Sequence, residues 1–288
     1  MTGSGPYKSP GDLALGSMPL LWLRVATVLY GIGLIYALMQ LSRRGEWLGK
    51  IAIPAVELGM VFHFVSLVET AILLGYMDLM TIRHAESALA LLMVVTFMFL
   101  YVRYDMTSPG MFIFPLAFFL TFGSALAQHP PAFTSPALRS RWIIAHVTLL
   151  LIGYAALFFS FVASLLYLLQ SRNLKSKQPG GWASRMPALQ VIDELGYRAL
   201  LIGFPFMTLG LMAGAVVATE KFGAKYFADP KVLLSILMWG VYMVLMYTRW
   251  SAGWRGRKAA YLATFAFAAA VGAWIANYLS PLHRFIAP

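Results

Sequence analysis

Eight stretches of this chain stay apolar for about 20 residues each, and that pattern restricts the fold more than any other feature. A hydrocarbon core about 30 Å thick is crossed by about 20 residues rising 1.5 Å each. The stretches are 20–41, 51–75, 87–103, 111–127, 142–170, 195–219, 231–249 and 259–280. The expected fold is therefore all-α, a polytopic integral membrane protein with about eight transmembrane helices. Composition agrees: 60% of the residues are hydrophobic and 11% charged, too few polar groups to cover a water-facing surface, which excludes a soluble enzyme. The chain has no cysteine, so disulfide frameworks, iron–sulfur clusters, zinc fingers and thiol nucleophiles are excluded together. Residues 1–18 form a polar, Gly/Pro-containing tail that is expected to be mobile. Residues 19–288 read as one transmembrane domain. The first apolar run sits behind that tail without a basic run before it, unlike a cleaved signal peptide.

Basic residues orient the bundle. The net charge is +11, from 22 Lys and Arg against 11 Asp and Glu. The connections after the first, third, fifth and seventh spans hold the densest clusters, Arg43-Arg44 and Arg255 to Lys258 among them. Cytoplasmic loops carry such an excess, so these loops are expected inside a cell (inner or plasma) membrane, with both termini extracytoplasmic. The same excess favours anionic lipid headgroups, and no nucleic-acid-binding motif accompanies it. The 171–194 connection, with Pro179-Gly180-Gly181, reads as a cytoplasmic hairpin within the single domain. Counting crossings then places His146, the 220–231 segment and His283 on one membrane face, with His84 and His129. His63 alone falls near mid-bilayer.

His146 and His283 each sit at a helix end beside aromatic residues, Trp142 and Tyr154 near the first, Trp274 and Tyr278 near the second. Two facing imidazoles can fill both axial positions of a haem. Arg139, Arg141 and Arg284 could pair with its propionates. Histidines and aromatics are also common in the interfacial belt with no ligand at all, and the residues alone leave both readings open. In the 220–231 segment, Asp229 and Pro230 suit the start of the seventh helix as cap and first residue. Capping leaves Phe222, Tyr226 and Phe227 unexplained on a wet surface. A short amphipathic element offering flat rings to a flat ligand explains them. His63 shares its span with Glu57 and Glu69, and ionisable groups within hydrocarbon mark a cavity, a partner or a ligand. Steps of six residues turn about 240°, so the three do not share a helix face, which disfavours a proton wire. A haem ligand and a buried hydrogen-bonded histidine remain equal alternatives for His63. Gly210 and Gly214 read as a close-packing pair, and Pro205 predicts a kink in the same span. No phosphate-binding loop, nucleophile elbow, zinc-protease helix or internal repeat is present; the missing repeat leaves a transporter reading unsupported.

The second half carries a more specific pattern. Ile192-Asp193-Glu194-Leu195-Gly196-Tyr197-Arg198, then Ile202-Gly203-Phe204-Pro205-Phe206-Met207-Thr208-Leu209-Gly210 with Gly214, resembles the cytochrome c assembly proteins of the CcsA/ResC type. Asp229-Pro230-Lys231 resembles the end of that family's tryptophan-rich WWD segment, with Trp239 in the next helix. Tyr247-Thr248-Arg249, Gly253-Trp254-Arg255-Gly256 and Leu282-His283 continue the match in order. His146-Val147 and Arg83-His84-Ala85-Glu86 precede it. The resemblance implies a haem-handling protein of c-type cytochrome biogenesis, holding haem b transiently on the extracytoplasmic face. His146 and His283 would be its axial ligands, with Trp142, Tyr226, Phe227 and Asp229 around it. It implies a CcsB/ResB-like membrane partner and an apocytochrome c, and a delivery factor more than a stand-alone enzyme. The chain departs from the family at Ala228, where a Trp precedes Asp-Pro-Lys, and at Val232, where a Glu follows. Tyr247 stands where an intramembrane histidine is expected, and Tyr247 or His63 would be the ligand of any second haem. These departures resemble the HemX/YpjD branch, which implies the alternative of an accessory protein that regulates haem synthesis or stabilises a complex without ligating haem.

Overall fold

The computed structural model describes residues 10–41, 46–74, 82–126, 141–175 and 186–276. They form helices α1 (Pro10–Leu41), α2 (Glu46–Leu74), α3 (Ile82–Tyr104), α4 (Gly110–Ala125), α5 (Arg141–Lys175) and α6 (Leu189–Phe222). A short 3-10 helix follows (Gly223–Ala228), then α7 (Pro230–Trp250) and α8 (Arg257–Ile275). Seven of these helices are long and apolar enough to cross a membrane. The eighth, α4, has 16 residues and so is about 24 Å long. The chain is thus an all-α, multi-pass membrane protein.

Most helices outrun the apolar stretches that announce them. α5 continues through Arg172 to Lys175, and α6 begins at Leu189, ahead of the acidic pair Asp193-Glu194. A helix needs its backbone bonds, not lipid, so polar turns persist where the chain leaves the hydrocarbon. For the same reason α1 starts at Pro10, a residue suited to a first turn, and takes in half of the tail expected to be mobile. Residues 1–9 lie outside the described residues.

The helices pack as two four-membered rings. In the first, α1 and α3 each lie against both α2 and α4; in the second, α5 neighbours α6 and α8, and α7 does the same. Contact of α3 with α5 joins the rings. Tyr30, Val56, Phe97, Ile113 and Phe114 fill the first, and its core runs on through Phe158 and Val162 of α5. Leu157, Met207, Met238, Tyr242 and Ala266 fill the second. Large apolar side chains such as Val102, Ile72 and Phe265 point outward and form the surface that lipid covers.

In lipid there is little hydrophobic drive between helices, so close backbone approach has to supply the packing. Buried alanines at 259, 263, 266, 270 and 273 give α8 such a face. The tighter seam joins α5 to α6. A Cβ on Gly203 would stand 2.9 Å from Leu157, one on Gly210 would stand 2.7 Å from Leu150, and one on Gly153 would stand 3.0 Å from the backbone nitrogen of Met207. These pairs share one antiparallel register. Pro205 lies inside α6, which continues on both sides of it.

Candidate haem-ligand site at one end of the bundle

The α5–α6 seam ends on a histidine. In the register of the glycine pairs, His146 of α5 falls opposite Gly214, and a Cβ built on Gly214 would land on the imidazole itself. The missing side chain at 214 is what lets an edge of the ring lie against α6. One turn away, His146 Nδ1 is 2.6 Å from the carbonyl oxygen of Gly210. A carbonyl can only accept, so Nδ1 carries the proton and Nε2 the lone pair. Among the described residues, nothing hydrogen-bonds to Nε2.

The connection between α6 and α7 overhangs this ring. Trp239 Nε1 donates to Thr208 Oγ1 (3.0 Å) and its indole stacks on Phe204, which fixes α7 against α6. That alignment brings the start of α7 level with His146, and Lys231 lies near enough to act on the imidazole electrostatically. Between them, α6 runs on to Phe222 and the 3-10 helix turns the chain back. The amphipathic element expected here is that 3-10 turn. Tyr226 is buried in it, Phe227 is half exposed, and the two rings meet edge to face at 5.3 Å. Burial, with the nearby Asp229 carboxylate, raises the Tyr226 phenol above its ordinary range, so it stays neutral. Asp229 is buried and accepts from the Lys231 backbone N–H (2.9 Å), with Pro230 as the first residue of α7. Its geometry is that of an N-cap. Trp142 stands one turn before His146 on α5, largely exposed.

Two other sequence candidates lie elsewhere. His63 is fully buried among α1, α2 and α3, with Nε2 2.7 Å from Ser87 Oγ and Nδ1 3.4 Å from the Tyr30 hydroxyl. Both nitrogens are within hydrogen-bond distance of a hydroxyl, an arrangement in keeping with the second of its two alternatives, a buried hydrogen-bonded histidine. Tyr247 points outward from α7 and is 65% exposed, so it does not enter the bundle where an intramembrane ligand would sit. Eighteen residues separate it from Asp229, about 27 Å along a helix. His283, with His129, Arg139, Tyr278 and Arg284, lies outside the described residues.

The opposite end of the second ring holds a polar cluster. Arg249 at the end of α7 forms a 2.8 Å ion pair with Asp193 near the start of α6, and the side chains are 8% and 17% exposed. Asp193 Oδ1 also accepts from the Gly256 N–H (3.2 Å), and the guanidinium lies 4.7 Å from the Tyr197 ring centroid. Beneath the pair, Ser160, Ser164, Tyr167 and Gly196 line a cavity of about 20 Å³, room for about one water.

The profile of the family described as Cytochrome C assembly protein matches residues 60–284, which include the His146 seam, the α6–α7 connection and the Asp193–Arg249 cluster. The chain belongs to this family. Similar curated proteins are the cytochrome c biogenesis protein CcsA of Chlamydomonas reinhardtii, 36% identical over 46% of this chain and 36% of that protein. CcsA of Pyropia yezoensis is 29% identical over 63% of this chain and 70% of its own length. CcsA of Synechococcus sp. (strain CC9605) is 34% identical over 44% and 49%. The chain thus spans about a third to a half of the first and third of these relatives.

Lys231, Gly210 and Gly214 are neighbours of His146, a relation that residue-by-residue reading does not reveal. The two glycines are legible as a packing pair, but their partner is not. The signal lies in register: His146, Leu150, Gly153 and Leu157 step down α5 at intervals of four, three and four. Gly214, Gly210, Met207 and Gly203 step up α6 at the same intervals.

Proposed function

We propose that this protein handles haem for c-type cytochrome biogenesis, taking haem b transiently at the membrane face where α5 begins. His146 and His283 would hold its iron. The observation that carries this reading is the state of His146, with Nδ1 spent on the Gly210 carbonyl and Nε2 without a hydrogen-bond partner among the described residues. Metal-ligating histidines take this state almost without exception, their second nitrogen donating to a carbonyl or carboxylate.

The family resemblance supports the choice of His283, and α8, which precedes it in the chain, packs on α5. Tyr154 and Trp274 meet edge to face at 5.8 Å, and Phe161 stacks on Phe267 at 4.1 Å in the same antiparallel register. Lys231 supplies a cation suited to a propionate. Trp142 and Phe227 offer exposed rings, and Tyr226 a neutral phenol. When bound, haem would supply an iron for histidine ligation and vinyl groups for thioether formation with an apocytochrome's cysteines. The protein's own work is to ligate, orient and shield, with a CcsB/ResB-like membrane protein and an apocytochrome c as partners.

Visible spectra of the detergent-purified protein, oxidised and reduced, test the reading. A bis-histidine, low-spin haem spectrum that is lost or altered in both His146→Ala and His283→Ala is expected. A colourless protein that binds no added haemin would overturn it. The departures at Ala228 and Val232 favour one second reading, an accessory role without haem ligation. That reading requires c-type cytochromes to persist when the His146→Ala variant replaces the native protein in cells.

A further inference from the structure

We infer that Gly210 and Gly214 are positioning residues that aim His146. This inference rests on the reading of His146 as a haem ligand and adds what sets the ligand's direction and protonation. The argument starts from two constraints on one ring. Gly210 contributes a carbonyl 2.6 Å from Nδ1, which selects the tautomer with the proton on Nδ1. Gly214 contributes an empty Cβ position that the ring itself occupies. The Nδ1–Cε1–Nε2 edge of the ring lies against α6, where Nδ1 is held by the Gly210 carbonyl and Nε2 keeps its lone pair. A side chain at 214 would push the imidazole off this seat, and the Nδ1–carbonyl bond would stretch or break with it.

Packing alone would make the same two glycines useful, so the rest of the seam provides the control. Gly203 lies on the same ridge, and the atoms nearest its Cβ would be those of Leu157 and Ala156, at 2.9 and 3.1 Å. Gly203→Ala disturbs the seam about two turns from Gly210 and touches nothing around His146. If the glycines only let helices approach, the 203 and 214 variants should behave alike. If Gly214 seats the ligand, they should part.

Two measurements decide it. In the first, haemin is titrated into detergent-purified wild type, Gly214→Ala, Gly203→Ala and His146→Ala, followed by optical spectra. Gly214→Ala is expected to bind haemin at least tenfold more weakly, or to give a high-spin or mixed spectrum, while Gly203→Ala keeps the wild-type spectrum and affinity. Matching behaviour of the two glycine variants would overturn the inference and leave the haem reading intact. A wild-type spectrum in His146→Ala would instead remove the reading on which the inference rests. The second measurement needs no haem and no glycine variant. In ¹⁵N-histidine-labelled protein without haem, the His146 signals, assigned by their loss in His146→Gln, are expected at the shifts of a neutral ring protonated on Nδ1. A ring protonated on Nε2 would overturn the inference.

Discussion

Replacing Asp193 by alanine is the perturbation whose cost the structure defines most closely. The carboxylate accepts from both terminal nitrogens of Arg249, at 2.8 and 3.3 Å, and from the backbone N–H of Gly256 at 3.2 Å. It thereby ties the start of α6 to the end of α7 and to the residue before α8. Removal leaves the Arg249 guanidinium, 8% exposed and resting on Tyr197, without a counter-charge. Breaking a buried pair from one side costs about 3–5 kcal/mol, because the surviving charge remains desolvated. Arg249 lies in the last turn of α7. Its long side chain could swing toward the interface and recover some solvation, which puts the expectation at the lower end, about 3 kcal/mol.

The double variant separates this mechanism from simple loss of contacts. Arg249→Met added to Asp193→Ala removes the stranded charge and keeps much of the apolar stem. It should restore roughly half of the lost stability, since apolar replacement of a buried pair is often close to neutral. What remains is the unpaired Gly256 N–H, worth about 1 kcal/mol, and the enlarged cavity. Unfolding in mixed micelles by SDS titration, followed by circular dichroism, reads both numbers. A single-variant cost below about 1 kcal/mol, or a double variant no better than Asp193→Ala, would refute the argument.

Three further changes have outcomes set by the packing. His63→Ala leaves the Ser87 and Tyr30 hydroxyls without their buried partner and should cost about 1–3 kcal/mol in the same titration, without moving the haemin spectrum. A changed spectrum there would bring His63 back as a ligand. Gly153→Ala should destabilise the bundle, because its Cβ meets Met207 backbone at 3.0 Å and no rotamer relieves that. Gly240→Ala, with nothing within 4 Å, should be neutral or stabilising by up to about 1 kcal/mol through helix propensity. Equal effects at 153 and 240 would contradict the close α5–α6 seam.

The spans were legible because lipid imposes a length on every crossing, and the eight apolar stretches correspond one to one with α1–α8. Their ends were less so, since hydropathy marks where a helix enters lipid and says nothing of where its hydrogen bonds stop; the charged turns at Arg172–Lys175 and Asp193-Glu194 are the clearest instance. The candidate site divides along a similar line. Chain parity alone brings His146, Tyr226, Phe227 and Asp229 to one face, because it depends only on counting crossings. Whether an ionisable residue inside a span faces protein or lipid depends on packing partners that a single helix does not declare. His63 and Tyr247 went opposite ways on that point, one sealed between hydroxyls and the other turned outward.

The glycine pair shows how far such reading can go once register is known. Gly210 and Gly214 admit many partners as a small-residue motif, and the motif is silent about which. Once α5 and α6 are taken as antiparallel neighbours, one contact fixes every other pairing along the seam, because both helices rise 1.5 Å per residue. Setting Gly153 against Met207 places Leu157 on Gly203, Leu150 on Gly210 and His146 on Gly214. A histidine facing a glycine at the membrane end of a tight seam is then no accident of composition. It is the one position on that ridge where the residue filling the glycine's empty space can also coordinate a metal.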